Sequence, residues 1–287
     1  MKTLLVLTDC SKKDENVVKA SVLFSGKLKK NIQFVNAYLH YAMIPSYEGS
    51  SLIESSVSFA KAESEDQLNE LAEHMGIYIN KLTAVDYIPT ISVQSAVGPL
   101  GQITREIIKE KNVSMIFMGP PKDSRLDHIL FGSDVEAVLD VSDIPVVIVP
   151  EKAPVEKINK IFFATDFDDT DISAIKYLVK VAKLFDCELE IVHINLIGRG
   201  EPSKSINELS FEKKRAKIKY PKMTYHEVRG KDVIHRLNSL CHKDGADLLA
   251  MVQDKHSVFT SIFKEGTVQK ALSVRDFPVM IFPAKMF

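Results

Sequence analysis

Lys2–Ser11 reads KTLLVLTDCS and Lys160–Asp169 reads KIFFATDFDD. Both are apolar runs closed by Thr-Asp, at Thr8-Asp9 and Thr165-Asp166. A short continuous apolar run ending in a polar turn predicts a strand buried on both faces. Each Thr-Asp is followed by apolar residues at helical spacing: Val17, Val18, Ala20, Ser21, Leu23 and Phe24 in the first case, Ile172, Ala174, Ile175, Leu178, Val179, Ala182 and Leu184 in the second. A second buried strand then follows, IQFVNAY at Ile32–Tyr38 and LEIVHIN at Leu189–Asn195. Strand, helix and strand of this length form the right-handed crossover unit of a parallel sheet.

The repeat continues outward. TISVQSAV at Thr90–Val97 matches MTYHEV at Met223–Val228, and each leads into a predicted helix, Gly101–Lys111 and Lys231–Lys243. Buried strands are expected at Val113–Met118 and Asp247–Val252, and each half closes on an apolar-Pro-Val run, Ile144–Pro150 and Phe277–Pro283. Proline is tolerated at a strand's first residue, where its missing N–H costs nothing. The expected fold is therefore α/β: two tandem doubly wound domains, each a five-stranded mostly parallel sheet with helices on both faces. The domains are residues 1–150 and 151–287, divided at the charged stretch Glu151–Lys157. The halves differ most between their second and third strands. There the first half predicts a long surface helix, Ser56–Thr83, with Phe59, Leu68, Leu71 and Met75 on one side.

Composition agrees. The chain has 287 residues, 45% hydrophobic and 26% charged, with 37 basic against 38 acidic side chains. A chain of this length buries a large core without metal or disulfide staples. The near-neutral balance argues against a nucleic-acid partner. Three cysteines, Cys10, Cys187 and Cys241, make no CxxC pair and fit a reducing compartment. The apolar start meets Asp9 too early for a signal-peptide core and no stretch is long enough to span a bilayer, so a cytoplasmic location and no membrane partner are expected.

Ligands of doubly wound sheets sit outside the carboxyl ends of the strands. The candidates in the first half are Thr8, Asp9 and Cys10 after the first strand, Ala37 near the end of the second, and Met118 and Gly119 at the end of the fourth. Asp9 and Asp166 offer acceptors for ribose hydroxyls or an adenine amino group, or else cap the following helix. Gly132-Ser133 opens a predicted helix, where backbone N–H groups and the helix dipole favour an anion; Gly266-Thr267 is its counterpart. No Walker loop, GxGxxG after a strand, HExxH or GxSxG is present, so neither a metal site nor a catalytic residue is indicated. His193 reads as a core histidine, and Cys187 and Cys241 as packing residues.

The layout of Thr-Asp, Gly-Ser or Gly-Thr, and the closing apolar-Pro-Val run resembles the universal stress protein family in its tandem form, over essentially the whole chain. Members that bind ATP carry Gly, two residues, Gly, nine residues, then Gly and Ser or Thr. In the first half that spacing falls on Gly119, Lys122, Gly132 and Ser133; in the second it falls on Gln253, His256, Gly266 and Thr267. The resemblance implies an adenine-nucleotide site, ATP with Mg, built from Thr8, Asp9, Cys10, Ala37, Met118, Gly119, Lys122, Gly132, Ser133, Asp134 and Val135. The second-half equivalents, Thr165, Asp166, Ile194, Gly266 and Thr267, form a degenerate site. Lys122 stands where a glycine would let the backbone approach phosphate and either supplies charge or blocks the site. Asp134 adds unfavourable charge. The rival expectation is a non-nucleotide interaction protein with two vestigial sites. The resemblance also implies that the two halves pair through their last strands as an internal pseudo-dimer, with a further homodimer left open.

Overall fold

A computed structural model describes residues 2–38, 50–81, 87–120, 133–197, 206–253 and 277–287. The first half contains β1 (Thr3–Leu7), α1 (Glu15–Leu28), β2 (Asn31–Tyr38), α2 (Ser50–Lys81), β3 (Ile91–Val97), α3 (Leu100–Glu110), β4 (Val113–Met118), α4 (Ser133–Val141) and β5 (Val146–Ile148). The second contains β6 (Lys160–Ala164), α5 (Asp169–Phe185), β7 (Glu188–Leu196), α6 (Ile206–Arg215), β8 (Met223–Gly230), α7 (Val233–Asp244), β9 (Leu248–Gln253) and β10 (Val279–Pro283).

These strands form one ten-stranded sheet in the order β3-β2-β1-β4-β5-β10-β9-β6-β7-β8. Within each half every pairing is parallel, and the halves meet through one antiparallel pair, Val279 opposite Ile148 and Ile281 opposite Val146. Alternation along the strands separates two core layers. Leu4 and Val6 face the layer of α1, α2, α5 and α6, whereas Leu5 and Leu7 face that of α3, α4 and α7. β1 and β6 are buried on both faces, as their unbroken apolar runs predict.

The stretch between the halves is anchored. Asn16 Nδ2 donates to the carbonyls of Glu151 (2.7 Å) and Ala153 (2.9 Å). Ala153 and Val155 are buried, and Phe24 of α1 lies 5.0 Å, centroid to centroid, from Phe185 of α5. Residues 151–157 are thus a packed strap.

The long helix begins earlier than the expected Ser56, and its apolar side differs from expectation. Leu68, Met75 and Ile79 are buried and Leu71 is partly buried, whereas Phe59 is 71% exposed. The crossover returns from the carboxyl end of β2 to the start of β3, so α2 runs antiparallel to the strands. Its Ser64 hydroxyl meets that of Ser95, near the carboxyl end of β3, at 2.9 Å. Phe59 lies nine residues before Leu68, two and a half turns at 3.6 residues per turn, so it stands on the side of α2 opposite the buried line of Ser64, Leu68, Met75 and Ile79. Among the described residues no helix is long and apolar enough to cross a membrane.

Candidate functional site

The two Thr-Asp turns are built alike, and each is closed by an aspartate six residues after its threonine. In the first half Thr8 Oγ1 donates to Asp14 Oδ2 (2.7 Å), the amide of Asp9 donates to the same oxygen (2.9 Å), and the amide of Cys10 donates to Thr8 Oγ1 (2.9 Å). In the second half Thr165 Oγ1 donates to Asp171 Oδ2 (2.6 Å), with the amide of Asp166 at 3.3 Å and that of Phe167 on Thr165 Oγ1 at 3.1 Å. The third residue of each turn is left-handed, Cys10 at φ 61° and Phe167 at φ 71°. A non-glycine residue there carries backbone strain of about 1–2 kcal/mol, which the closed bonds must offset.

Asp14 and Asp171 were absent from the expected site, although the pattern Thr-Asp-x-x-x-x-Asp stands in both halves and could have drawn attention to them. Helix capping also falls elsewhere than on Asp9 and Asp166. Asp14 occupies the N-cap position of α1 without a side-chain cap bond, and Asp168 caps α5 by accepting from the amide of Thr170. Asp9 instead accepts from the amide of Ser11 at 2.8 Å. Removal from water pushes both closing carboxyls up, Asp14 to about 6 and Asp171 to about 7; the threonine hydroxyls and turn amides oppose the shift without cancelling it.

The end of β4 comes directly against this turn. A Cβ placed on Gly119 would lie 2.8 Å from Asp14 Oδ1 and 3.6 Å from Val17 Cγ2, so only glycine fits without displacing the clamped carboxyl. Strand register identifies the second-half counterpart. Phe117 pairs with Val6 and Ala250 with Phe163, each partner standing two residues before its threonine. Two residues further lie Gly119 and Val252, the latter buried. Spacing in the sequence had put Gln253 there; the register moves the position to Val252, which brings a branched side chain to the place of the glycine.

Other pairs follow from the same register, since the amides of Thr8 and Thr165 bond to the carbonyls of Val35 and Val192. Asn36 then corresponds to His193 and Ala37 to Ile194. In the second half the Phe167 and His193 rings stack with centroids 4.0 Å apart, Phe211 of α6 lies 5.2 Å from Phe167, and His193 Nδ1 is 2.8 Å from the Thr165 carbonyl oxygen. His193 is thus half-buried and satisfied, close to the expected core role. On the opposite face Ile194 is buried where the first half has the half-buried Ala37. Aspartates 166, 168, 169 and 171 crowd the second turn and suit the start of α5, yet they repel an anion.

Of the remaining expected site residues, Thr8 and Met118 are buried at strand ends, Cys10 is half-buried, and Thr165 is fully buried. Ser133 is the first residue of α4, Asp134 is exposed, and Val135 is buried in the core against the sheet and therefore acts in packing. Lys122, Gly132, His256, Gly266 and Thr267 lie outside the described residues. Cys187 and Cys241 are buried free thiols, and burial pushes Cys187 up to about 11.

Residues 1–150 match the model of the universal stress protein family. Among solved structures, the chain is similar to a universal stress protein from Archaeoglobus fulgidus DSM 4304, with a TM-score of 0.69 and 19% identity over 97% of each chain. It is also similar to a protein of unknown function from Pseudomonas aeruginosa PAO1, with a TM-score of 0.60 and 14% identity over 100% of this chain and 94% of the other. No curated protein matches the sequence.

Proposed function

The chain belongs to the universal stress protein family, and from that premise we propose that it is a tandem stress-response protein whose first domain, residues 1–150, binds an adenine nucleotide. The second domain, residues 151–287, retains the fold without the ligand. The observation that supports this reading is the asymmetry at the strand ends: Gly119 sets bare backbone against the Asp14 carboxylate that closes the Thr8–Asp9 turn, and Val252 brings a branched side chain to the same place in the other half.

In the first domain Asp9 offers acceptors to a ribose or to an adenine amino group, and Ala37 leaves the room that Ile194 fills. Gly119, Lys122, Gly132 and Ser133 lead into the start of α4, whose dipole favours phosphate. A helix start favours a phosphate group, and Mg would travel on the phosphates and supply charge neutralisation. Two buried free thiols fit the reducing cytoplasm.

A second reading has an observation of its own. The β5–β10 pair joins the halves into one continuous sheet, which suits an assembly platform with two vestigial sites. Thermal unfolding with and without millimolar Mg-ATP separates the two. A ligand at a hundred times its Kd stabilises the folded state by about 2.7 kcal/mol. The nucleotide reading expects a rise in Tm of several degrees, lost in Gly132→Val and kept in Gly266→Val. No rise in the wild type would leave the platform reading, and equal losses would mean that the competent half has been misassigned.

A further inference from the structure

The Asp14 carboxyl touches both parts of the candidate site that the structure describes. Its Oδ2 holds the Thr8 hydroxyl and the Asp9 amide, and its Oδ1 faces Gly119 at the end of β4. We propose that Asp14 is the positioning residue of the first-domain site, and that seating an anionic ligand there is coupled to uptake of one proton by its carboxyl. The inference rests on the nucleotide reading and adds to it a dependence of binding on pH.

Geometry supplies the reason. Polyphosphate approaching Gly119 brings negative charge toward Oδ1, and repulsion between like charges a few ångströms apart in a partly dehydrated site favours the neutral acid. The proton comes from solvent and sits on Oδ1. Oδ2 stays available as acceptor, so the turn and Asp9 keep their positions in both states.

Among the described residues, few charges stand against this carboxyl. From the end of β1 it faces Asp9, whose negative charge also favours protonation. The short helical turn before α1 contributes Lys12 and Lys13, both exposed, and α1 contributes Glu15, which is paired with Lys19 at 2.6 Å. β4 presents the uncharged Gly119. The ligand-free carboxyl already lies near 6, so in neutral solution it is mostly ionised yet within reach of protonation.

Calorimetric titration of Mg-ATP into the full chain, in two buffers of different ionisation enthalpy, counts the protons taken up. Most of one proton is expected at pH 7, with affinity falling nearly tenfold for each pH unit from 7 to 8, as expected for one linked proton. Asp14→Asn keeps an acceptor for Thr8 and Asp9 and should bind with little pH dependence and no linked proton. Asp14→Ser, a residue favoured at helix starts, should behave likewise if the amide variant fails to fold. Asp171→Asn should leave the uptake unchanged. Binding by the wild type without uptake, or uptake retained in both Asp14 variants, overturns the coupling and leaves the nucleotide reading standing. No binding at any pH removes both.

Discussion

The turn at Thr8–Asp14 and the turn at Thr165–Asp171 share every bond of the clamp and the same left-handed third residue, yet their surroundings differ. In one half the turn meets Gly119, Cys10 and Ala37. In the other it meets Val252, an aromatic stack built on Phe167, and Ile194. The clamp is therefore a device for turning the chain from the first strand into the first helix. On the proposed reading, capacity for a ligand depends on the residues around it, chiefly on whether backbone or side chain stands at the end of the fourth strand.

The largest effect should come from removing the aromatic stack. Phe167→Ala deletes a buried ring in contact with His193 and Phe211 and should cost about 3–4 kcal/mol. Cys10→Ala, the matching change in the other half, should cost about 1 kcal/mol or less. Urea unfolding of the two variants checks this, and equal losses would show that the two turns are packed alike after all.

Next comes the buried acid of the second turn. Asp171 titrates near 3.8 when unfolded and at about 7 when folded, so the folded chain binds this proton more tightly. The resulting stability is complete below pH 4 and is lost as pH rises through 7. Asp171→Asn, which needs no charge in the core, should raise stability at pH 8 by ~2 kcal/mol and flatten the decline between about pH 4 and 7. Melting curves across that range and at pH 8 test both parts. The smallest effect is expected at the strap, where Asn16→Ala removes two hydrogen bonds to backbone carbonyls. Chemical denaturation should show a loss of about 1–2 kcal/mol.

Much of the fold was legible because strands buried on both faces leave unbroken apolar runs, as LLVL and IFFA do at the centre of each half. Most element boundaries fell within two residues of expectation. The start of α2 did not, and Phe59 is exposed because it lies half a turn out of phase with Leu68 and Met75, so helical spacing puts it on the opposite side of α2. At the candidate site Thr8, Asp9 and Gly119 stood out by spacing. Asp14 did not, since an aspartate at a helix start ordinarily reads as a cap, and its contact with Gly119 joins residues more than a hundred positions apart.

By itself the sequence determined the repeat, the doubly wound layout and the position of each Thr-Asp turn, because all three follow from local periodicity and short-range order. Only the tertiary structure decided that Val252, one residue before the position counted by spacing, is the second-half counterpart of Gly119. That assignment depends on the register between neighbouring strands, which is set by long-range hydrogen bonding. The structure likewise placed the Asp14 carboxyl between the end of the first strand and the end of the fourth. Its burial there, which changes its affinity for a proton, exists only once the sheet has closed around it.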